Sequence, residues 1–228
     1  MHRIQVSEGP PSTPLPCEYF DLIGGTDIGG LAVLMFGRLR MPIDDAIAAF
    51  SHFVDAVWAR GRKHRGEDKF KASKLEKVIK DIVKAASGDV DALMVGGPAD
   101  RDGDVGHDFV CAMLAGNQNT SIFTLFRTYV ARTNPSPDCA VWEAVYATMA
   151  LPGGHFKPAS ITTRGMSQHY IGGAMGANNP ARRGLREAEA LFPTDHLAIL
   201  ISIGTGHPGT TTVAGDGGTV GAGDINAI

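Results

Sequence analysis

Five residues, Gly25-Thr26-Asp27-Ile28-Gly29, have a spacing that can do chemistry. They follow the β-prone run Tyr19-Phe20-Asp21-Leu22-Ile23 and precede Leu31 to Leu39, which is apolar nearly all round and reads as a buried helix. A strand, a Gly-flanked turn and a helix are the setting of a nucleophile elbow, G-x-S-x-G, in which a strained bend thrusts out the central side chain. Here that residue is Asp27. A carboxylate can attack as a nucleophile, but the acyl-enzyme it forms needs a base to activate water. His155 and His169 are the candidates in chain order, and no spacing sets either beside Asp27. The plain structural reading is a Gly-rich βα turn without chemistry.

Other motifs fail on context. Gly204-Thr205-Gly206-His207-Pro208-Gly209 satisfies G-x-G-x-x-G, but Thr210-Thr211-Thr212 is a poor start for the helix that must receive a pyrophosphate. Asp100, Asp102 and Asp104 open like a calcium loop, yet Val105 stands at the required Gly and Cys111 at the bidentate Glu. The eight His lack H-E-x-x-H spacing, and Asp216-Gly217-Gly218 reads as a turn. No metal site and no cofactor follows from these patterns.

The elements that must position the elbow alternate in type. Helices are expected over Ile43 to Arg60, from Ser73 onward, over Trp142 to Ala150 and over Ala181 to Leu191. Strands are expected over Phe109 to Leu114, Ile122 to Tyr129, Gln168 to Ile171 and, fully buried, Leu197 to Ile203. The first eighteen residues, with four prolines, read as an extended connector. Alternation of this kind indicates an α/β fold with a mainly parallel sheet. A Gly-rich tail is expected over 207–228, leaving one domain over 1–206.

Composition bounds the rest. With 43% hydrophobic and 20% charged residues in 228, the chain can bury a full core. Its longest apolar run, Leu31 to Phe36, is far below the roughly 20 residues a membrane span needs. Three dispersed cysteines and no apolar leader suggest a cytoplasmic protein. Arg60 to Lys84 holds ten Lys/Arg and four acids, a net +6 against −9 for the remainder. Such a stripe is a solvated helix face or a contact for an anionic membrane surface. Phe70 is its one aromatic, so nucleic acid is not expected.

The run Cys17-Glu18-Tyr19-Phe20-Asp21-Leu22-Ile23-Gly24-Gly25-Thr26 resembles the elbow segment of patatin-like phospholipases, the fungal ones in particular. In the expected order, so do Gly37-Arg38-Leu39-Arg40-Met41, Lys74-Leu75-Glu76, Phe109-Val110-Cys111-Ala112, Phe126-Arg127-Thr128-Tyr129 and Trp142-Glu143-Ala144. Gly176-Ala177-Asn178-Asn179-Pro180, Glu187-Ala188 and Ser202-Ile203-Gly204-Thr205-Gly206 complete the series. The resemblance implies a three-layer α/β/α domain and a lipid acyl hydrolase. That family works with a Ser–Asp dyad and a Gly-rich oxyanion loop near the N-terminus, and it needs no cofactor.

The chain departs from this pattern in three places. Asp27 stands at the nucleophile position, between Gly25, Thr26, Ile28 and Gly29. Counting back from Asn178-Asn179-Pro180, the dyad acid falls at Gly172. Met1 to Gln5 resembles the end of the family's first helix, so the first strand and the oxyanion loop are expected to be missing. The reading is a patatin-like family member linked to lipid metabolism and catalytically impaired. The alternatives are a residual acyl-ester hydrolase using Asp27, a non-enzymatic module binding anionic lipid or a partner through Arg60 to Lys84, and a degenerate gene fragment or mis-called start.

Overall fold

The computed structural model describes residues 1–10, 12–59, 72–96, 106–117, 122–150 and 156–204. They separate into one compact unit over Met1–Asp195 and a second over His196–Ile228.

The first unit opens with two short helices, α1 (His2–Glu8) and α2 (Pro16–Tyr19). Both replace the expected extended connector. In α2, Pro16 takes the first helical turn, where its missing N–H goes unneeded, and the Glu18 carboxylate accepts the Leu15 N–H at 3.0 Å. Strand β1 therefore covers Leu22–Thr26, three residues later than the β-prone run implied. Helix α3 (Ile28–Phe36) follows at once, with Leu31, Leu34 and Met35 buried to 1% or less.

Helix α4 (Ile43–Val54) carries Asp44 and Asp45 in its first turn and passes into a π-helical stretch, Asp55–Ala59. Along these two stretches Ala46, Phe53 and Val57 are buried, Phe50, Val54 and Trp58 pack against the core, and Ile47 is exposed. Helix α5 (Ala72–Ser87) buries Leu75, Val78, Ile79, Ile82 and Val83, as its apolar period requires. Strands β2 (His107–Leu114) and β3 (Thr124–Arg127) lead to α6 (Val141–Met149), nearly all of it buried. Then come β4 (Ala159–Thr163), β5 (Met166–Gly172), α7 (Ala174–Ala177) and α8 (Ala181–Leu191).

The five strands form one sheet in the order β1-β2-β5-β4, with β3 also paired to β2. Among the described residues, only β1 and β2 run parallel; β2–β3, β2–β5 and β4–β5 are antiparallel. The sheet is mixed, which corrects the expectation of a mainly parallel one. The cause is local. Arg164 and Gly165 both take positive φ, 51° and 79°, the pattern of a two-residue hairpin turn, and β4 and β5 pair across it.

Alternate residues of β2 supply two cores, because successive side chains leave a strand on opposite faces. Val110 and Ala112 pack with α3, α5 and α6. Phe109, Cys111 and Met113 pack with Leu125, Ile171 and Ala177 on the other face. A five-strand sheet with helices on both faces is the α/β arrangement the patatin-like resemblance implies.

Within the second unit, residues 196–204 have no regular secondary structure. Leu197, Ile199, Ile201 and Ile203 are 56–91% exposed. The expected buried strand Leu197 to Ile203 is therefore corrected: its composition suits a strand, but the segment is exposed and without regular structure. The expected Gly-rich tail, Asp216-Gly217-Gly218, the Gly204 to Gly209 motif beyond its first residue, and Asp100, Asp102 and Asp104 lie outside the described residues.

Candidate functional site

β1 ends at Thr26, opposite Cys111 of β2, and β5 ends at Gly172, opposite Ala112, the next residue along. The His107 N–H donates to Asp21 O and the Ala115 N–H to His169 O. Odd-numbered groups along β2 make both bonds, and alternate residues of a strand turn their backbone groups to the same edge. The ends of β1 and β5 thus approach each other along one edge of β2, bringing the positions of Asp27 and Gly172 together.

Asp27 has φ 55° and ψ −129°. Those angles lie near the first central position of a type II′ turn, where φ is positive and glycine is preferred. An Asp held there stores about 1–3 kcal/mol of strain. The turn is fixed by bonds around it: the Asp27 carbonyl accepts the Gly30 N–H at 2.9 Å, and Thr26 Oγ1 donates to Ala177 O at 2.7 Å. Gly25 is needed at this bend, since a Cβ there would lie 2.6 Å from the Gly29 carbonyl oxygen. Gly29 itself faces open space. Of the two glycines that flank the elbow, only the first is enforced by packing.

Thr148, from the last turn of α6, joins the two candidate positions. Its Oγ1 accepts the Asp27 N–H at 2.8 Å and donates to Cys111 O at 2.7 Å. Its methyl group would sit 2.8 Å from a Cβ on Gly30. Its carbonyl oxygen would sit 2.7 Å from a Cβ on Gly172, with Ala150 O at 3.5 Å. Sequence reasoning missed Thr148. A threonine inside an apolar helix carries no spacing signal, and only the fold shows that its hydroxyl closes onto the elbow.

Asp27 is exposed at its tip yet ringed by protein atoms. That crowding strips hydration from the carboxylate and lifts its pKa to about 6, against a smaller downward pull from the Ile28 amide. Among the described residues, no charged side chain contributes to the shift. His169 is exposed on β5, and His155 lies outside the described residues. Among the described residues, no group of three or more His, Cys, Asp or Glu could hold a metal ion.

Relief of the elbow strain should be measurable. Replacing Asp27 by Gly is expected to stabilise the fold by about 1–3 kcal/mol. A raised carboxyl pKa favours the fold below the unfolded value near 4, and that advantage is lost as pH rises through about 6. The gain from Asp27→Gly should therefore be larger at alkaline than at acid pH. Urea unfolding of both proteins at the two extremes reads it directly.

Comparison with known proteins agrees with this architecture. The chain is 24% identical over 208 residues to the calcium-independent phospholipase A2-gamma of Rattus norvegicus, covering 83% of this chain and 24% of the rat protein. It is 24% identical over 223 residues to patatin-like protein 2 of Arabidopsis thaliana, covering 83% of this chain and 51% of that one. The chain thus spans about a quarter to a half of the length of these relatives. The model of the patatin-like phospholipase family matches residues 6–185, most of the chain and both strand ends described above. The chain belongs to the patatin-like phospholipase family.

Proposed function

We propose that this chain keeps the elbow of a lipid acyl hydrolase without its Ser–Asp dyad, and that it turns over no ester. Asp27 occupies the nucleophile position and Gly172 the position of the dyad acid. The observation that carries this reading is the Thr148 carbonyl, 2.7 Å from where a Cβ at 172 would lie. The space an acid would need at that position is taken by backbone.

Chemistry through Asp27 itself meets two obstacles. Attack by its carboxylate on an ester carbonyl would give a mixed anhydride, and a base would have to deliver water to it. Among the described residues, none of the influences on Asp27 comes from a titratable side chain. The N–H of the residue after the nucleophile, here Ile28, is an oxyanion donor in an elbow. In this chain it faces the Asp27 carboxylate and draws it down, so it already has an anion.

The relatives' names, a phospholipase A2 and a patatin-like protein, support lipid esters as the class of molecule this surface evolved to meet. A fluorophosphonate that labels activated serines should leave the chain unmodified while labelling a serine-bearing patatin-like hydrolase run beside it. Labelling that maps to a serine of this chain would overturn the reading.

The alternative of a contact for an anionic surface through Arg60 to Lys84 rests mainly on residues whose structure is not described. Arg60 to Lys71 lies outside the described residues. Of the lysines on α5, Lys80 is held by Glu76 at 2.6 Å and lies over the Trp142 ring.

A further inference from the structure

Asp108 is a carboxyl group that the elbow does not use. It lies on β2, 1% exposed, and among the described residues neither side-chain oxygen has a hydrogen-bond partner. Its backbone is fully engaged, donating to Thr128 Oγ1 and accepting the Thr128 N–H, both at 3.0 Å. The orphan is the side chain alone. It packs flat against Gly37, where a Cβ would overlap all three carboxyl atoms. Gly37 ends helix α3, the helix that starts at Asp27.

The turn after Gly37 is tightly bonded. Leu39 N–H reaches Leu34 O at 2.8 Å, Arg40 N–H reaches Gly37 O at 3.1 Å, and Met41 N–H reaches Met35 O at 2.9 Å. Arg40 has a strained φ of 49°. Among the described residues, the charged groups around Asp108 are few. Arg38 and Arg40 lie within electrostatic reach and favour its ionised form. Arg38 spends its guanidinium on the Leu93 and Met94 carbonyls at 2.6–3.0 Å. Arg40 reaches Glu18 of α2 only at 3.4 Å. The Cys17 thiol of α2 completes the set; burial lifts it, and Asp108 adds to the rise. His107, the neighbour on β2, turns its ring to Tyr129 and Phe192.

A buried anion without hydrogen bonds is untenable, so one of two things must happen to this group. It holds a proton, or the turn bearing Arg38 and Arg40 moves to meet it. We propose that Asp108 is a proton-held latch: as the neutral acid it lets the turn 37–41 seat against β2, and on losing its proton to solvent it draws Arg40 inward and opens that turn. Burial outweighs the two arginines and pushes its pKa well above the ordinary value. A folded-state pKa raised in this way favours the fold at acid pH, and the advantage is lost as pH rises through it. The turn at the far end of the elbow helix thus loosens toward alkaline pH.

Thermal unfolding of the parent and of Asp108→Asn across about pH 5 to 8.5 tests this, because Asn stands in for the neutral acid at every pH. Asp27 and His107 are present in both proteins, so the difference between the two curves belongs to Asp108 and the Cys17 thiol coupled to it. The parent's Tm should fall across the range by roughly 5 °C more than the variant's. Independently, in the parent alone, hydrogen exchange at Leu39 and Met41 should lose protection as pH rises, after correction for intrinsic exchange. This decides the matter even if the variant does not fold. Identical pH dependence in the two proteins, or turn amides whose protection stays constant with pH, would overturn the proposal.

Discussion

Restoring an acid at position 172 should damage the fold rather than rebuild a dyad. The Gly172 N–H donates to Ala150 O at 2.5 Å, and the Cβ direction points at Thr148 O, 2.7 Å away. Neither neighbour is the end of a flexible side chain; both are backbone carbonyls. Forcing a side chain into such a space costs typically 1–3 kcal/mol, and a carboxylate set against two carbonyl oxygens adds an unpaired charge. Gly172→Asp is expected to destabilise the chain by about 3 kcal/mol or more, and Gly172→Ala by the steric part alone, roughly 1–3 kcal/mol. Chemical denaturation of the two variants separates the parts. The pair Asp27→Ser with Gly172→Asp inherits this defect, so an active dyad also requires the end of α6 to withdraw.

The second large effect lies where α8 is fastened to the sheet. Glu187 accepts from Arg127 Nε at 2.6 Å, from Arg127 Nη2 at 2.8 Å and from Tyr129 Oη at 2.7 Å. The fourth bond of the group runs from Arg127 Nη1 to Asn134 O at 3.0 Å. The Arg127 side chain is 5% exposed, so this is a desolvated, two-pronged ion pair rather than a surface contact. Deleting one partner of such a pair strands the other charge, at about 3–5 kcal/mol. Glu187→Ala should lose that much stability, and Glu187→Gln less, because it keeps one acceptor. Burial pushes the Glu187 carboxyl up, but the bonds from Arg127 and Tyr129 together hold it below its ordinary value. The pair's contribution is therefore complete at neutral pH and is lost as pH falls through that lowered value. Urea titrations of the parent and both variants, at neutral and acid pH, measure it.

These two sites differ in how far the sequence announced them. Helix α8 runs from Ala181 to Leu191, the range its pattern predicted, because Pro180 and Pro193 punctuate both ends. The strand-turn-helix around Asp27 was equally legible, since Gly25, the β-prone run and the apolar helix state it locally. What local signals could not state was partnership. Leu197 to Ile203 has the composition of a buried strand, but composition does not supply a neighbouring strand, and the segment stays exposed. The hairpin at Arg164-Gly165 was written in the sequence as an ordinary Gly turn. The strand before it gives little apolar signal, because only Ala159 and Ile161 of β4 are buried. Asp108 follows the acidic run Asp100, Asp102 and Asp104 in sequence, whereas β2 begins at His107 and carries it into the core. The hydrogen bonds of Thr148 to Cys111 and Asp27 reach across 37 and 121 residues of chain, beyond the reach of any periodicity.

The central claim is that the elbow is present and its chemistry is not. Its most direct test is the steady-state hydrolysis of an aryl ester and of a phospholipid in mixed micelles by the parent chain and by Asp27→Ala. The account predicts that both proteins match an inert protein of equal concentration on both substrates. Turnover by the parent that disappears in Asp27→Ala, with the variant still folded, would contradict it and establish the Asp27 carboxylate as a working nucleophile.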